Sequence, residues 1–152
     1  MQSNRYRIPG DQDATAEAIL NRAPDQIDHR FLNSLDRQAA TWLGRYGARQ
    51  VTLALRQRSA DLLHQALLAT AIAACLHDYD DRDVMIGLAL PWVVAEQLGL
   101  DPVQVFNRVA HRITKPDVAD LLTVFGARQD ISLEAFGWQQ VPTDHGSDFR
   151  PA

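Results

Sequence analysis

The chain has 152 residues, a mass of 17.0 kDa and a net charge of −4 at pH 7, with 46% hydrophobic and 22% charged residues. These values suit one globular domain and exclude global disorder. The negative net charge disfavours a nucleic-acid or anionic-membrane binder, since either would need a concentrated basic surface.

An N-terminal arm and a short first helix are predicted. Residues 1–12 include Pro9-Gly10 and few apolar side chains, so we expect a flexible arm. The helical domain then extends over residues 13–137. It starts with a short helix that ends at about Arg22, because the residue before a proline leaves the helical conformation and Pro24 follows.

A longer helix is predicted after Asp25. Its apolar residues recur at three- and four-residue steps, the pattern of a helix that rests on a core. They are Ile27, Phe31, Leu35, Ala39, Trp42, Leu43 and Tyr46. Glycine lowers helix propensity, so we expect Gly44 and Gly47 to fray the end of this helix.

The centre of the domain is predicted between Ala48 and Asp78, a stretch without glycine or proline that keeps a helical phase. Ser59 could divide it into two helices. The part from Leu62 to Leu76 is apolar on nearly all sides, which is typical of a helix inside the core.

Three further helices are predicted, over residues 82–98, 102–113 and 116–126. Between the first two, Gly99 can end a helix, Asp101 can cap the next one, and Pro102 suits its first position. Pro91 predicts a kink, because a proline inside a helix removes a backbone hydrogen bond.

Residues 138–152 differ from the helical part. Asp144-His145-Gly146 favours a turn, and it lies between the aromatic residues Trp138 and Phe149. A small hairpin or an extended tail is expected here. The whole chain is therefore predicted to be all-α: a single-domain bundle or short HEAT-like stack of about six to seven helices, with this C-terminal segment added.

The catalytic candidate is the dipeptide His77-Asp78, because an adjacent His and Asp can bind one metal ion. HD-domain phosphohydrolases use such a dipeptide together with an earlier His and a later Asp. Here the other ligands would be His29 or His64 and Asp117 or Asp120. The spacing is loose, and a helix C-terminus with His77 near the negative end of the dipole explains the dipeptide without a metal.

Two groups of residues are candidates for binding a partner. Arg45, Arg49 and Arg56 share one helical face and could bind phosphate or an acidic partner, although a solvated face paired with aspartates is the interpretation we favour. Trp138 and Phe149 would cover an apolar groove if the last segment is a hairpin, and its edge could then receive a partner strand.

Four stretches of sequence carry a resemblance. They are Asp80-Asp81-Arg82-Asp83, Gly99-Leu100-Asp101-Pro102, Val105-Phe106 and Leu133-Glu134-Ala135-Phe136-Gly137-Trp138. Together they resemble uncharacterised small helical proteins of bacteria with high-GC genomes. A weaker likeness, in shape only, is to helical adaptor and immunity proteins. The resemblance implies a helical fold and no particular activity.

The sequence favours a protein-binding domain without catalysis or cofactor: an adaptor, a regulator or a toxin-neutralising inhibitor. We expect it to be soluble and cytoplasmic, since its one cysteine, Cys75, excludes a disulfide framework and no apolar run is long enough for a membrane span. The expected partner is another protein, and assembly with further copies stays open. The alternative is a metal-dependent HD-like phosphohydrolase centred on His77 and Asp78.

Overall fold

The computed structural model describes residues 9–36, 38–76, 82–144 and 146–152. Within these ranges, seven α-helices precede a short 3₁₀ helix and an antiparallel hairpin, which confirms the predicted helical bundle with a small C-terminal hairpin. The α-helices are α1 Pro9–Arg22, α2 His29–Asn33, α3 Ala39–Gln57, α4 Ala60–Leu76, α5 Arg82–Gln97, α6 Pro102–Ala110 and α7 Pro116–Ala127. The 3₁₀ helix is Leu133–Phe136, and the strands are β1 Trp138–Thr143 and β2 Gly146–Pro151.

The first helix begins earlier than the sequence indicated. α1 starts at Pro9, so residues 9–12, which we expected in the arm, are helical. A proline is tolerated in the first turn because the N–H it lacks would have no helical partner there. The rest of the expected arm, residues 1–8, lies outside the described residues.

The single helix predicted from Asp25 to Tyr46 is wrong, because the chain breaks between α2 and α3. The Ser34 hydroxyl donates to the Phe31 carbonyl at 2.6 Å, and the Asp36 carboxylate accepts from the Gln38 N–H at 3.0 Å. Such local side-chain bonds satisfy backbone groups that a continuous helix would otherwise use. The helix therefore stops at Asn33 and restarts at Ala39.

Gly44 and Gly47 lie inside α3 instead of fraying its end. A Cβ atom at Gly47 would stand 3.0 Å from both the Ala66 carbonyl oxygen and the Thr70 hydroxyl oxygen of α4. The missing side chain at Gly47 thus lets α3 and α4 approach closely, and this packing outweighs the low helix propensity of glycine.

The expected division at Ser59 is confirmed. Arg58 takes a left-handed conformation with φ of 51°, and the Ser59 hydroxyl then accepts the Leu62 N–H at 3.2 Å to start α4. Every residue of α4 from Ala66 to Cys75 is buried, which places this helix in the core as predicted. α5 continues through Pro91 to Gln97.

The end of α6 is joined to the loop between α1 and α2. The Ile27 N–H donates to the Arg112 carbonyl at 2.6 Å, and the Thr114 N–H donates to the Ile27 carbonyl at 3.1 Å. Ile113 pairs with Ile27 in this isolated bridge and is not part of the helix, so α6 ends at Ala110 and not at Ile113.

The hairpin pairs Trp138 with Pro151 at its open end and Thr143 with Gly146 at its turn. The side chains of Gln97 and Gln140 exchange hydrogen bonds of 2.6 and 3.0 Å, which tie β1 to the end of α5. Phe149 of β2 is buried in the core. Among the described residues, no helix is both long and apolar enough to cross a membrane.

Candidate functional site

A cavity of about 350 Å³ lies between α3, α4 and α5, with Trp138 of the hairpin as part of its wall. We call it the α3–α5 cavity. Six of its thirteen lining residues are aliphatic: Ala40 and Ala48 come from α3, Ala73 from α4, and Val84, Ile86 and Leu90 from α5. Apolar pockets of a few hundred Å³ with a small number of polar groups are typical of binding sites.

Thr70 and Gly87 shape the inner part of the α3–α5 cavity. Thr70 is only 3% exposed and lies in the middle of α4, where the neighbouring residues are apolar. A Cβ atom at Gly87 would stand 2.8 Å from the Thr70 methyl carbon, so α5 can approach α4 here only because residue 87 has no side chain.

Gly44 leaves space in the cavity wall. A Cβ atom added there would have no atom within 4 Å, so a side chain at this position would project into open volume. The sequence suggested a helix end at Gly44, whereas the structure shows a helical glycine in the lining of the cavity.

The charges in the lining come from two helices. Arg45 of α3 and Asp83 in the first turn of α5 are both exposed. Trp138 is half-buried and presents an aromatic surface to the same space. The cavity therefore combines an apolar interior with one positive and one negative group that reach solvent.

The five residues predicted to bind a partner are placed in three different surroundings. Arg45 and Trp138 both line the α3–α5 cavity. Arg49 and Arg56 are exposed on the same helix but are not part of its lining, and Arg56 lies beside Gly146 of β2. Phe149 is 8% exposed and packs into the core, so in this conformation it offers little surface to a partner.

The structure describes only some of the metal ligands considered for the HD-like alternative. His77 and Asp78 lie outside the described residues, so the HD-like interpretation stays a prediction. The other candidates are His29 on α2, His64 on α4, and Asp117 and Asp120 on α7. Within the described part of the chain, no group of three His, Cys, Asp or Glu side chains is placed to hold a metal ion.

A second concave site of about 250 Å³ lies between α4 and α6, and we call it the α4–α6 pocket. Its polar residues are Asp25, His64, Gln65, Arg108 and Arg112. Burial, reinforced by the nearby charge of Arg108, lowers the pKa of His64 below its ordinary value. Neither arginine was predicted from the sequence as a binding residue, because only the fold brings the end of α6 beside α4.

No family model, curated protein or solved structure matches this chain.

Proposed function

We propose that this chain is a protein-binding module without catalysis, and that its partner inserts an apolar side chain into the α3–α5 cavity. The observation that supports the proposal is the convergence of Arg45 and Trp138 on one apolar cavity of about 350 Å³. Aromatic residues and arginines at the border of a pocket are the residue types that contribute most to binding energy in protein interfaces.

The apolar interior determines the kind of anchor. Ala73, Ile86 and Leu90 offer no hydrogen-bonding side chain, so a polar group buried against them, away from the threonine hydroxyls of the lining, would lose its hydration without compensation. An aliphatic or aromatic side chain avoids that cost and gains roughly 1.5–3 kcal/mol when it is fully buried.

The charges at the cavity determine what flanks the anchor. A carboxylate of the partner would suit the Arg45 guanidinium, which can donate two parallel hydrogen bonds to it. The occupant proposed is therefore a peptide segment with an apolar residue next to an acidic residue.

Such a segment is compatible with an adaptor, a regulator or a toxin-neutralising inhibitor. We place the protein in the cytoplasm in this proposal, since its one cysteine, Cys75, is a buried free thiol and reducing compartments keep thiols in that state. A HEAT-like order of the helices would fit the same role, because stacked helices expose long surfaces to partners.

Selection from a displayed library of random peptides on the purified full chain tests the proposal. We expect the enriched peptides to carry an apolar residue flanked by an acidic one. Calorimetry should show about tenfold weaker binding to the Arg45→Glu variant, because the charge-assisted pair becomes a repulsion.

Arg56→Glu is the matched control, since Arg56 is exposed on the same helix and does not line the cavity. It should bind the selected peptides as the wild type does. Selection of no such peptide, or of peptides whose affinity Arg45→Glu leaves unchanged, would contradict the proposal.

A further inference from the structure

The α4–α6 pocket shares no lining residue with the α3–α5 cavity, so it is a separate site. Two of the residues around it, Arg108 and Arg112, are arginines four positions apart. Arg108 belongs to α6 and Arg112 to the turn that follows it, and both side chains line the pocket. Leu68 and Val109 form the apolar part of the lining.

Arg112 is held in place before any ligand arrives. Its Nε–H donates to the Asp25 carbonyl at 3.3 Å, and one terminal nitrogen donates to the Pro24 carbonyl at 2.9 Å. A guanidinium has five N–H donors, so donors remain for another acceptor. Because the side chain is already ordered, binding would cost little additional conformational entropy.

Arg108 and His64 supply the other side of the pocket. Arg108 is exposed, whereas His64 of α4 is half-buried. His64 lines the pocket, while its Nδ1 atom is buried.

We propose that the α4–α6 pocket binds a phosphoryl group, held by the guanidinium groups of Arg108 and Arg112. A tetrahedral oxyanion offers acceptors in several directions, which suits two arginine forks and the Gln65 amide. The volume of about 250 Å³ leaves room for a phosphate and part of the molecule that carries it.

Asp25 also lines the pocket, and its carboxylate opposes an anion. With His64 neutral, the two arginines and Asp25 leave one net positive charge in the lining. Removing the Asp25 charge should therefore strengthen phosphate binding, and removing the Arg108 charge should weaken it.

NMR titration of the full chain with inorganic phosphate at constant ionic strength tests this site. We expect saturable shifts of the His64 ring signals and of the backbone signals of residues 108–112. Arg108→Gln should weaken binding about tenfold, as expected for the loss of a charge-assisted hydrogen bond. Asp25→Asn should tighten it severalfold.

Arg128→Gln is the matched control, because Arg128 follows α7 and lies over the Phe125 ring, with its guanidinium carbon 5.3 Å from the ring centroid. It should bind phosphate as the wild type does. Methyl phosphate is the second probe. Tighter binding of methyl phosphate than of inorganic phosphate would indicate an esterified ligand, and weaker binding would indicate free phosphate. Equal shifts with chloride, or binding that Arg108→Gln leaves unchanged, would overturn the proposal.

Discussion

Replacing Gly126 with alanine probes the contact between α6 and α7. A Cβ atom at residue 126 would stand 2.5 Å from the Phe106 Cβ, 3.0 Å from its Cγ and 3.2 Å from the Pro102 carbonyl oxygen. Phe106 is fully buried and stacks on Phe125 with a centroid separation of 5.8 Å. Its Cβ moves only with the backbone of α6, so relief of the clash requires the two helices to separate.

The size of the effect follows from two opposing terms. Extra methyl groups forced into a packed core usually cost about 1–3 kcal/mol, and a contact of 2.5 Å belongs in the upper part of that range. The higher helix propensity of alanine offsets at most about 1 kcal/mol of this destabilisation. The offset is smaller here because Gly126 is close to the end of α7 at Ala127. We expect Gly126→Ala to lower the free energy of unfolding by about 1–2 kcal/mol.

Urea denaturation measures this difference, with Gly44→Ala as the matched control. Gly44 is also helical, but a Cβ atom there would meet no atom within 4 Å. Gly44→Ala should therefore stabilise the protein by about 0.5–1 kcal/mol through helix propensity alone. If Gly126→Ala were as stable as Gly44→Ala, the close packing of α6 on α7 would be refuted.

Three further predictions concern the core and two titratable groups. Leu67→Ala should lower the free energy of unfolding by roughly 2–5 kcal/mol in urea denaturation, because Leu67 is fully buried in α4 and a cavity would remain. Folding lowers the pKa of His64, so the folded protein favours the neutral imidazole. The stability that this contributes should be complete above the unfolded pKa of about 6.5 and should be lost as the pH falls toward the folded pKa. His64→Gln should make the melting temperature less dependent on pH in this range. Burial raises the pKa of the Cys75 thiol to about 11, so a thiol reagent at pH 8 should label the native protein far more slowly than the unfolded protein; equal rates would contradict the burial of Cys75.

Local signals in the sequence predicted the helix boundaries well where capping decides them. The Asp101 carboxylate accepts the Val103 N–H at 3.0 Å, Pro102 starts α6, and Gly99 takes a left-handed φ of 76°. These features depend on residues within one turn of each other, so they can be inferred without the fold.

The errors had two causes: packing against a distant segment, and local hydrogen bonds that the apolar spacing does not reveal. Gly47 interrupts the sequence pattern, yet α4 packs against it and the helix continues. The break after Asn33 was missed because the apolar spacing persists through residues that bond locally instead.

The α3–α5 cavity was only partly predictable. Arg45 and Trp138 stood out as an exposed cation and a terminal aromatic residue, but nothing in the sequence shows that they line one space. Thr70 and Gly87 gave no signal, since a threonine in an apolar helix and a helical glycine are both common in cores. Phe149 was predicted to cover an apolar groove if the last segment is a hairpin, and in the structure it is buried.

The most direct test of the proposed function is the calorimetric affinity of a selected peptide for two variants of Gly44. Gly44 lines the α3–α5 cavity and a Cβ atom there would meet no atom within 4 Å, so we expect leucine to occupy part of the cavity, whereas alanine adds a single methyl group. If the partner's apolar side chain enters the cavity, Gly44→Leu binds the peptide at least tenfold more weakly, while Gly44→Ala stays close to the wild type. Equal affinities of the two folded variants would contradict the account.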